Sequence, residues 1–324
     1  MIGTDILKAA ELLKQNELVA IPTETVYGLA GNAFNPIAVA KIFEVKNRPT
    51  FNPLIVHIKN IEFIHTIAQK FDERLLHLLR RFSPGPLTIL VEKKTIIPDL
   101  VTAGSSKVAI RIPNHPMTLE LLNLLDFPLA APSANPFQYI SPTTAQQVEE
   151  QLGNKIPYIL DGGKCKVGIE STIVGIEENN VVVYRLGGVS IEDIEKEIGK
   201  VVVKKKLLKE TEHHQVITSG QLEKHYAPKK PVIIGDLEDL LNKYKSVSKA
   251  IILFGDKHYN SDNKNTLVFN LSPKGDFVEA AAHLFETLYL ADKSNVDVIL
   301  CELLPDVGLG RSINDRLKRA SKRE

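Results

Sequence analysis

The 324-residue sequence has no tryptophan, only two cysteines and two methionines, and an aromatic content of 6%. Cys165 and Cys301 lie far apart, without a cluster of metal-binding residue types around either, so the sequence predicts neither a disulfide framework nor a zinc site. Few aromatics and a formal net charge of +1 argue against a protein that binds nucleic acid mainly by stacking or through a basic surface. Asp5, Glu11 and Lys14 interrupt the apolar pattern of the N-terminus, unlike a signal peptide or membrane span. These absences favour a cytoplasmic protein that does not associate with a membrane and acts on small molecules.

The pattern of apolar residues predicts an α/β protein with two domains, since 324 residues with 44% hydrophobic content exceed one ordinary core. We expect a first domain over residues 1–203, an interdomain linker over 204–230, and a small, doubly wound second domain over 231–324. The linker is rich in Lys, Glu and His and lacks sustained periodicity. The predicted helices of the first domain are 5–16, 36–45, 72–82, 116–125 and 143–151, and its strands include 53–58, 86–92, 108–112, 128–131, 157–160, 170–176 and 181–185.

Lys46 and Arg48 stand two residues apart on the predicted connection between helix 36–45 and strand 53–58. An isolated Lys-x-Arg pair is usually a solvated loop, and that interpretation stays open here. Pro49 and Pro53 restrict the loop, however, and Asn52 adds a side-chain donor. A rigid guanidinium beside an ammonium group can then hold a carboxylate or phosphate at the edge of the sheet.

Two further polar clusters follow predicted strands. Ser133, Asn135 and Ser141 come after strand 128–131, where Ser141 or Thr143 is expected to cap a helix, and where hydroxyl and backbone N–H groups also suit a phosphate chain. Residues 161–174 contain three glycines ahead of Ser171, and on their own they predict a hairpin. His57 within strand 53–58 is more often a half-buried side chain than a ligand or base.

The sequence lacks three motifs that would indicate a phosphate-binding loop, a zinc protease or a serine nucleophile. It contains no G-x-x-x-x-G-K-[ST] loop, no H-E-x-x-H and no G-x-S-x-G. The stretch GLGRSI at 308–313 lacks the third glycine of a dinucleotide-binding fingerprint and the acidic residue that should follow it. It therefore gives only weak support for a nucleotide site in the second domain.

An ordered set of motifs nevertheless resembles the Sua5/YrdC family, in its two-domain Sua5 form, over nearly the whole chain. The pairing of KNRP (46–49) with APSAN (131–135) is the most specific part of the resemblance. It implies a YrdC-like, twisted mixed sheet with helices, a long linker, and a small Rossmann-like second domain. The other matching motifs are PTETVYGL (22–29), PLIVHI (53–58), VAIRIP (108–113), SPT (141–143), GIESTIV (168–174), YRLGG (184–188), HYAP (225–228) and GLGRSINDRLKRA (308–320).

The resemblance implies an ATP-dependent synthase, a nucleotidyltransferase, that joins L-threonine, bicarbonate or CO2, and ATP into threonylcarbamoyl-AMP and releases pyrophosphate. A separate tRNA threonylcarbamoyl transferase complex would pass the group to N6 of adenosine 37 in tRNAs that read codons beginning with A. Since the carbamate of threonine is itself a nucleophile toward the α-phosphorus, the protein need not supply one. Mg2+ would be held mainly by the ATP phosphates and not by a protein metal site.

The resemblance also assigns site residues by motif. Lys46 and Arg48 would be catalytic, offsetting negative charge around the reacting groups. Arg111 would pair with the carboxylate of threonine, and the HYAP linker would cover the site like a lid. ATP would contact Arg48, Asn52, Ser133, Asn135, Ser141, Arg185 and Tyr226, and L-threonine would contact Thr25, His57, Arg111, the backbone of Ala131, and Ser171.

The chain departs from the family pattern at two positions, and two rival functions are not excluded by the sequence. Ser219-Gly220 replaces a usual Pro-Gly pair ahead of HYAP, and Gly175 stands where an acidic residue usually ends the STIV strand. The first rival is an RNA-binding module without synthase activity, and direct tRNA binding stays undecided. The second is an enzyme related to the hydrogenase-maturation carbamoyltransferases, which carry extra cysteine motifs that two distant cysteines do not match.

Overall fold

The computed structural model describes residues 1–204, 216–220, 222–223, 225–259 and 265–322. About half of the predicted linker, including His213 and His214, lies outside the described residues. Within the described part, helices and strands alternate along the chain and form two sheets. None of the helices in these ranges is both long enough and apolar enough to cross a membrane.

Twelve strands of the first 203 residues form a mixed sheet, here called the first sheet, with helices packed against it. Its order is β1-β9-β2-β3-β8-β4-β7-β6-β10-β11-β12, and β5 pairs with β6. The strands are β1 Ile2–Gly3, β2 Val19–Ile21, β3 Gly28–Asn32, β4 Ile55–His57, β5 Ala68–Lys70, β6 Leu87–Lys93, β7 Lys107–Arg111, β8 Leu129–Ala130, β9 Tyr158–Leu160, β10 Thr172–Glu177, β11 Asn180–Arg185 and β12 Val202–Val203. The helices are α1 Ile6–Lys14, α2 Pro36–Lys46, α3 Ile64–Ile67, α4 Glu73–Phe82, α5 Asp99–Thr102, α6 Pro116–Asn123, α7 Ala145–Leu152 and α8 Ile191–Ile198.

The second sheet has four parallel strands in the order β13-β16-β14-β15, as expected of a doubly wound domain. Its strands are β13 Val232–Ile234, β14 Lys249–Leu253, β15 Thr266–Asn270 and β16 Val298–Cys301, with helices α9 Leu237–Lys243, α10 Phe277–Lys293 and α11 Leu309–Ala320. The prediction of a two-domain α/β fold is therefore confirmed.

Helix α2 delivers the Lys-x-Arg pair because its two ends are well defined. The side chain of Asn35 accepts from the backbone N–H groups of Ile37 and Ala38, and Pro36 is the first helical residue. Asn47 ends the helix in the left-handed region, at φ 50°. Lys46 is therefore the last residue of the helix, and not a loop residue as predicted, while Arg48 begins the connection to β4.

Two local predictions are wrong. Helix α7 is capped by Thr144, whose side chain accepts from the N–H of Gln147, and neither Ser141 nor Thr143 is its cap. The predicted hairpin over residues 161–174 is absent, because β9 pairs with β1 and β2 whereas β10 pairs with β6 and β11. Residues 161–171 instead run between two distant parts of the first sheet, and they bring Glu170 and Ser171 to the site described below.

The two domains share a buried hydrophobic interface. A buried hydrophobic cluster combines Val26, Ile140 and Ile169 from the first domain with Leu284 and Phe285 of α10. At Gly168, which has φ +74°, an added Cβ atom would lie 2.5 Å from the Cα atom of Ala282 in α10. This position requires glycine for both its backbone conformation and its closeness to the second domain.

Candidate active site

The Lys-x-Arg and Ser-x-Asn motifs meet through Lys46. Its Nζ atom donates to the backbone oxygen of Ser133 at 2.6 Å and to that of Asn135. The backbone N–H of Phe137 in turn donates to the carbonyl of Lys46 at 2.8 Å. Lys46 therefore fixes the loop that follows β8 against the end of α2, which explains why the two motifs occur together.

Lys46 and Arg48 are both buried, with exposed fractions of 1% and 7%. Burial, and then the charge of Arg48, lowers the pKa of Lys46 well below its usual value. The interpretation of the pair as a solvated loop is therefore wrong, because both side chains are buried and Lys46 belongs to α2. Either residue thus contributes to folding as well as to the charge of the site.

Arg48 is held by its own loop. Its Nε atom donates to the carbonyl of Asn52 at 3.0 Å, and its Nη2 atom donates to Asn52 Oδ1 at 2.7 Å and to the carbonyl of Pro53 at 2.9 Å. Burial, and then the charge of Arg185, lowers the pKa of Arg48 to about 9. The Nδ2 atom of Asn52 is buried and has no partner among the described residues. This amide is an available donor beside a fixed guanidinium, a combination that suits an anion.

Arg111 and His57 lie on adjacent parallel strands, where β7 and β4 place them side by side in register. Arg111 Nη2 lies 2.7 Å from Glu24 Oε1 in a buried ion pair, and Arg111 Nε donates to the carbonyl of Gly85 at 3.2 Å. Burial, and then the charge of Arg111, lowers the pKa of His57 to about 3. His57 is therefore neutral near pH 7, and Glu24 holds Arg111 in one orientation.

Arg185 of β11 is hydrogen-bonded to Ser171, which in turn contacts Thr88. Its Nε atom donates to the backbone oxygen of Ser171 and its Nη2 atom to Ser171 Oγ, both at 3.0 Å. Ser171 Oγ also lies 2.7 Å from Thr88 Oγ1. Burial lowers the pKa of Arg185 to about 10. A Cβ atom at Gly220, where φ is +84°, would lie 2.5 Å from Arg185 Cδ, so the Ser219-Gly220 pair brings the linker directly onto this arginine.

Glu170 forms the remaining wall, and Ser141 supports it from behind. Ser141 Oγ donates to Glu170 Oε1 at 2.9 Å, and Arg316 of α11 contacts Glu170 Oε2 at 3.1 Å. Burial raises the pKa of Glu170, but the charges of Arg316 and Arg185 outweigh this effect and hold the pKa below its ordinary value. Glu170 is therefore a buried carboxylate, and one partner of its ion pair belongs to the second domain.

The linker closes the site with His225 and Tyr226. Their rings lie 4.0 Å apart, and Tyr226 has a positive φ of 64°, which is uncommon for an aromatic residue. Burial, followed by the charges of Arg319 and Arg48, lowers the pKa of His225 well below its usual value, so His225 is neutral. Burial raises the pKa of Tyr226.

These groups surround one polar cavity with a free volume of about 50 Å³. Of the residues predicted for the site, those that line it are Thr25, Arg48, His57, Arg111, Ala131, Ser133, Arg185 and Tyr226. The other predicted residues do not line the cavity. Each is hydrogen-bonded to a residue that does, or belongs to the same motif as one; they are Lys46, Asn52, Asn135, Ser141 and Ser171. The sequence interpretation thus selected residues from separate segments of the chain that the fold brings together.

Sequence interpretation missed four charged residues of the site: Glu24, Glu170, Arg316 and Arg319. Two of them carried a signal. Ser312, Arg316 and Arg319 have i, i+4, i+7 spacing, which places three polar side chains on one face of α11. Glu24 and Glu170 lie in the motifs PTETVYGL and GIESTIV, but only the folded chain shows that each is paired with an arginine.

Gly175 occupies the position where the family pattern has an acidic residue. In this chain a side chain at this position would be too close to its neighbours. A Cβ atom at this position would lie 2.9 Å from Tyr184 Cε2 and 3.1 Å from Leu90 Cβ. In this chain Tyr184 and Leu90 fill the volume beside β10. The position lies away from the residues that line the cavity.

Comparison with known proteins covers both domains. The Sua5_yciO_yrdC family, described as telomere recombination, matches residues 11–187, and the threonylcarbamoyl-AMP synthase C-terminal domain matches residues 189–322. The threonylcarbamoyl-AMP synthase of Pyrococcus abyssi is 39% identical over 323 residues, covering 97% of this chain and 93% of the relative. That of Bacillus subtilis is 38% identical over 322 residues, covering 98% and 92%.

A crystal structure of P. abyssi Sua5 complexed with L-threonine matches the fold with a TM-score of 0.89 and 38% identity, covering 98% of this chain and 94% of that one. Agreement at this level over both domains favours the enzyme over the RNA-binding alternative. The chain belongs to the threonylcarbamoyl-AMP synthase family, in its two-domain Sua5 form.

Proposed function

We propose that the cavity gathers L-threonine, bicarbonate or CO2, and ATP, and that the carbamate of threonine attacks the α-phosphorus of ATP. Bicarbonate that takes up a proton gives CO2 and water; the neutral amine of threonine adds to the carbon of CO2, and the proton that the nitrogen then loses passes to solvent. A carbamate oxygen then forms the new P–O bond as the bond to pyrophosphate breaks, which leaves threonylcarbamoyl-AMP. The observation that carries this proposal is the cavity wall itself, where Arg48, Arg111 and Arg185 converge on a small, enclosed space. Converging cations offset the repulsion between a carbamate and a triphosphate.

Threonine is proposed to bind at the Arg111 side. Glu24 and the carbonyl of Gly85 fix this guanidinium and leave its remaining edge for the carboxylate of the amino acid. Thr25, His57, the backbone of Ala131, and Ser171 complete this subsite. A neutral His57 can donate or accept a hydrogen bond without adding charge beside Arg111.

ATP is proposed to bind at the Arg48 and Arg185 side. The unpartnered Nδ2 atom of Asn52 and the hydroxyl of Ser133 add donors for phosphate oxygens. Lys46 acts from behind by adding positive charge and by fixing the loop that carries Ser133. The further ATP contacts that we propose are Asn135, whose buried Oδ1 atom has no partner in the described part of the chain, Ser141 and Tyr226.

Mg2+ is proposed to arrive with ATP. Glu170 lines the cavity and Glu24 contacts the lining residue Arg111, and each of these carboxylates is already paired with an arginine. Neither is spare for a metal, which fits an ion held mainly by phosphate oxygens and water. When bound, Mg2+ would offset triphosphate charge and stabilise the departing pyrophosphate.

The linker is proposed to act as a lid. A free volume of about 50 Å³ holds only roughly two to four water molecules. Because Ser219, Gly220, His225 and Tyr226 form part of the wall, displacement of the linker would open the space that ATP and threonine need.

The product is proposed to pass to a tRNA threonylcarbamoyl transferase complex. A mixed anhydride of a carbamate and AMP is an activated acyl donor, so a transferase must consume it before water does. The proposed location is the cytoplasm, where the free, buried thiols of Cys165 and Cys301 are stable. Direct binding of tRNA by this chain is not part of the proposal.

The test is release of pyrophosphate from MgATP by the purified chain, with L-threonine and bicarbonate each present or omitted. We expect release only when both are present, because neither alone provides the carbamate. Release that does not depend on threonine, or none from a folded protein in the complete mixture, would contradict the proposal.

A further inference from the structure

Helix α11 presents a polar face to the first domain. Ser312, Arg316 and Arg319 recur at i, i+4 and i+7, and each is at most 2% exposed. Ser312 Oγ donates to the carbonyl of Gly187 at 2.9 Å, and Arg316 Nη1 donates to that of Leu186 at 2.5 Å. The helix of the second domain is thus bonded to the YRLGG segment, next to Arg185 of the cavity.

Arg316 is completely buried and pairs with Glu170. Its Nε and Nη2 atoms contact Glu170 Oε2 at 3.2 and 3.1 Å. A buried charge pair of this kind becomes costly when one partner is removed, because the other charge then lacks compensation. The state of Glu170 therefore depends on a residue of the other domain.

Glu170 is the one carboxylate among the described residues that line the cavity, beside three arginines. Without Arg316, the Glu170 carboxylate would keep only the charge of Arg185 as compensation, and it would repel the phosphates of ATP through a medium that screens charge poorly. Arg316 does not line the cavity, so its effect on a ligand would act through Glu170.

Tyr226 of the linker is held by the same helix. The guanidinium carbons of Arg316 and Arg319 lie 5.4 and 4.8 Å from the centre of its ring, and the ring of Phe285 in α10 lies 5.2 Å away. Both arginines are within cation–π range. The closed position of Tyr226 therefore rests on the second domain.

We propose that Arg316 is a positioning residue for ATP: it compensates the charge of Glu170 and supports Tyr226, and so makes the second domain part of the nucleotide site. This inference rests on the proposed function, because it concerns the site that we assign to ATP. It gives the GLGRSINDRLKRA motif a role that does not require a nucleotide site within the second domain.

The test compares ligand binding by four full-length proteins: wild type, Arg316→Met, the double variant Glu170→Gln/Arg316→Met, and Arg311→Met. Methionine keeps much of the arginine stem while removing its charge. The double variant removes both charges but keeps an acceptor for Ser141. Arg311 is a matched control, since it lies on the same helix and pairs across the interface with Glu192 of α8, away from the cavity lining. Titration calorimetry would measure MgATP binding without threonine, and L-threonine binding without ATP.

We expect Arg316→Met to weaken MgATP binding by about tenfold or more, because it leaves a buried carboxylate facing the phosphates. Threonine binding should change less, by about threefold or less, since Arg111 is fixed by Glu24 and not by Arg316. The double variant should recover most of the lost ATP affinity, and Arg311→Met should resemble wild type. If Arg316 had only a structural role, the added Glu170→Gln substitution would not restore the affinity for MgATP.

Equal weakening in the single and double variants, or the same loss in Arg311→Met, would overturn the inference. If Arg316→Met does not fold, the comparison of Arg316→Gln with Glu170→Gln/Arg316→Gln decides in the same way, because glutamine also lacks the charge but can still donate to the carbonyl of Leu186. Wild-type protein that binds MgATP but releases no pyrophosphate would contradict the proposed function alone. Wild-type protein that does not bind MgATP would overturn both.

Discussion

The cavity has a buried carboxylate–arginine pair on each side, and the two pairs are oriented in opposite ways. In the Glu24–Arg111 pair the arginine lines the cavity and the carboxylate lies behind it. In the Glu170–Arg316 pair the carboxylate lines the cavity and the arginine lies behind. The first pair presents a positive charge to a ligand, whereas the second presents a negative charge whose effect is cancelled from the other domain.

The contrast shows why the position of a charge matters as much as its presence. A group on the lining acts on the ligand directly, and a group behind it acts on the ligand through the residue that it holds. Lys46 and Arg316 are of the second kind, because both are buried and neither lines the cavity. Arg48 and Arg111 are of the first kind. The variants below should separate these two classes.

The largest effect is expected for Arg111→Met. It removes the proposed partner of the threonine carboxylate and leaves Glu24 buried without its charge partner, at a cost of about 3–5 kcal/mol in unfolding free energy. Threonine binding by calorimetry should become undetectable, while urea unfolding reports the stability. Arg74→Met, which breaks a half-exposed pair with Asp72 and the hydrogen bonds to Asn179, should cost less, about 1 kcal/mol. Full threonine affinity in Arg111→Met would refute this assignment.

A smaller loss of stability is expected for Lys46→Met. The variant removes two charge-assisted hydrogen bonds to the Ser133–Asn135 loop, each worth about 1.5–3 kcal/mol, although loss of a buried charge offsets part of this. We expect urea unfolding to show destabilisation, with weaker ATP binding because the loop is no longer fixed. Arg48→Met, the matched variant on the cavity lining, should lose more ATP affinity for a given loss of stability. The reverse order would contradict the division into two classes.

The pH dependence of stability tests the charge beside Arg111. Because the pKa of His57 is about 3 in the folded protein and about 6.5 when unfolded, the unfolded chain binds the extra proton between these values. Stability is therefore lost as pH falls below 6.5, by about 1.4 kcal/mol per pH unit from this residue alone. His57→Gln should lose stability less steeply than wild type between pH 6 and 4. Parallel curves would show that His57 is not held neutral.

The smallest effect is expected for Arg319→Met. Arg319 contacts Tyr226, the carbonyl of Leu222 and, at 3.4 Å, Asp315 Oδ2 of its own helix, a carboxylate that Arg316 also contacts. Its Nη2 atom is buried without a partner among the described residues, so its removal relieves part of the cost of burial. We expect a loss of about 1 kcal/mol in urea unfolding and less than the Arg316→Met effect on MgATP binding. Lys318→Met, at an exposed position of the same helix, should change neither. An ATP loss as large as that of Arg316→Met would instead assign the effect to Tyr226.

The sequence predicted most of the fold because apolar periodicity, caps and motif order are local features. Helix α2 is an example, since Asn35, Pro36 and Asn47 define both of its ends within the chain itself. The same local logic failed for residues 161–171, whose glycines suggest a hairpin. Their path depends on the pairing of β9 with β1 and on the closeness of Gly168 to α10. Both are contacts between residues far apart in the sequence, so a local pattern does not predict them.

Motif order also predicted which residues of the first domain meet at the cavity, but not which of them face it. Lys46 and Arg48 read alike in the sequence, yet one bonds to the backbone and the other lines the wall. The roles of Glu170 and Arg316 depend on a contact between residues 146 positions apart. Such a contact becomes visible only when both domains are placed together.

The reaction itself is tested by the mass of the product formed from MgATP, L-threonine and 13C-bicarbonate, with unlabelled bicarbonate in parallel. We expect an adenylate that contains threonine and one carbon from bicarbonate, so that its mass differs by one unit between the two reactions. An adenylate of threonine without the bicarbonate carbon, or no adenylate from a folded protein, would contradict the proposed reaction.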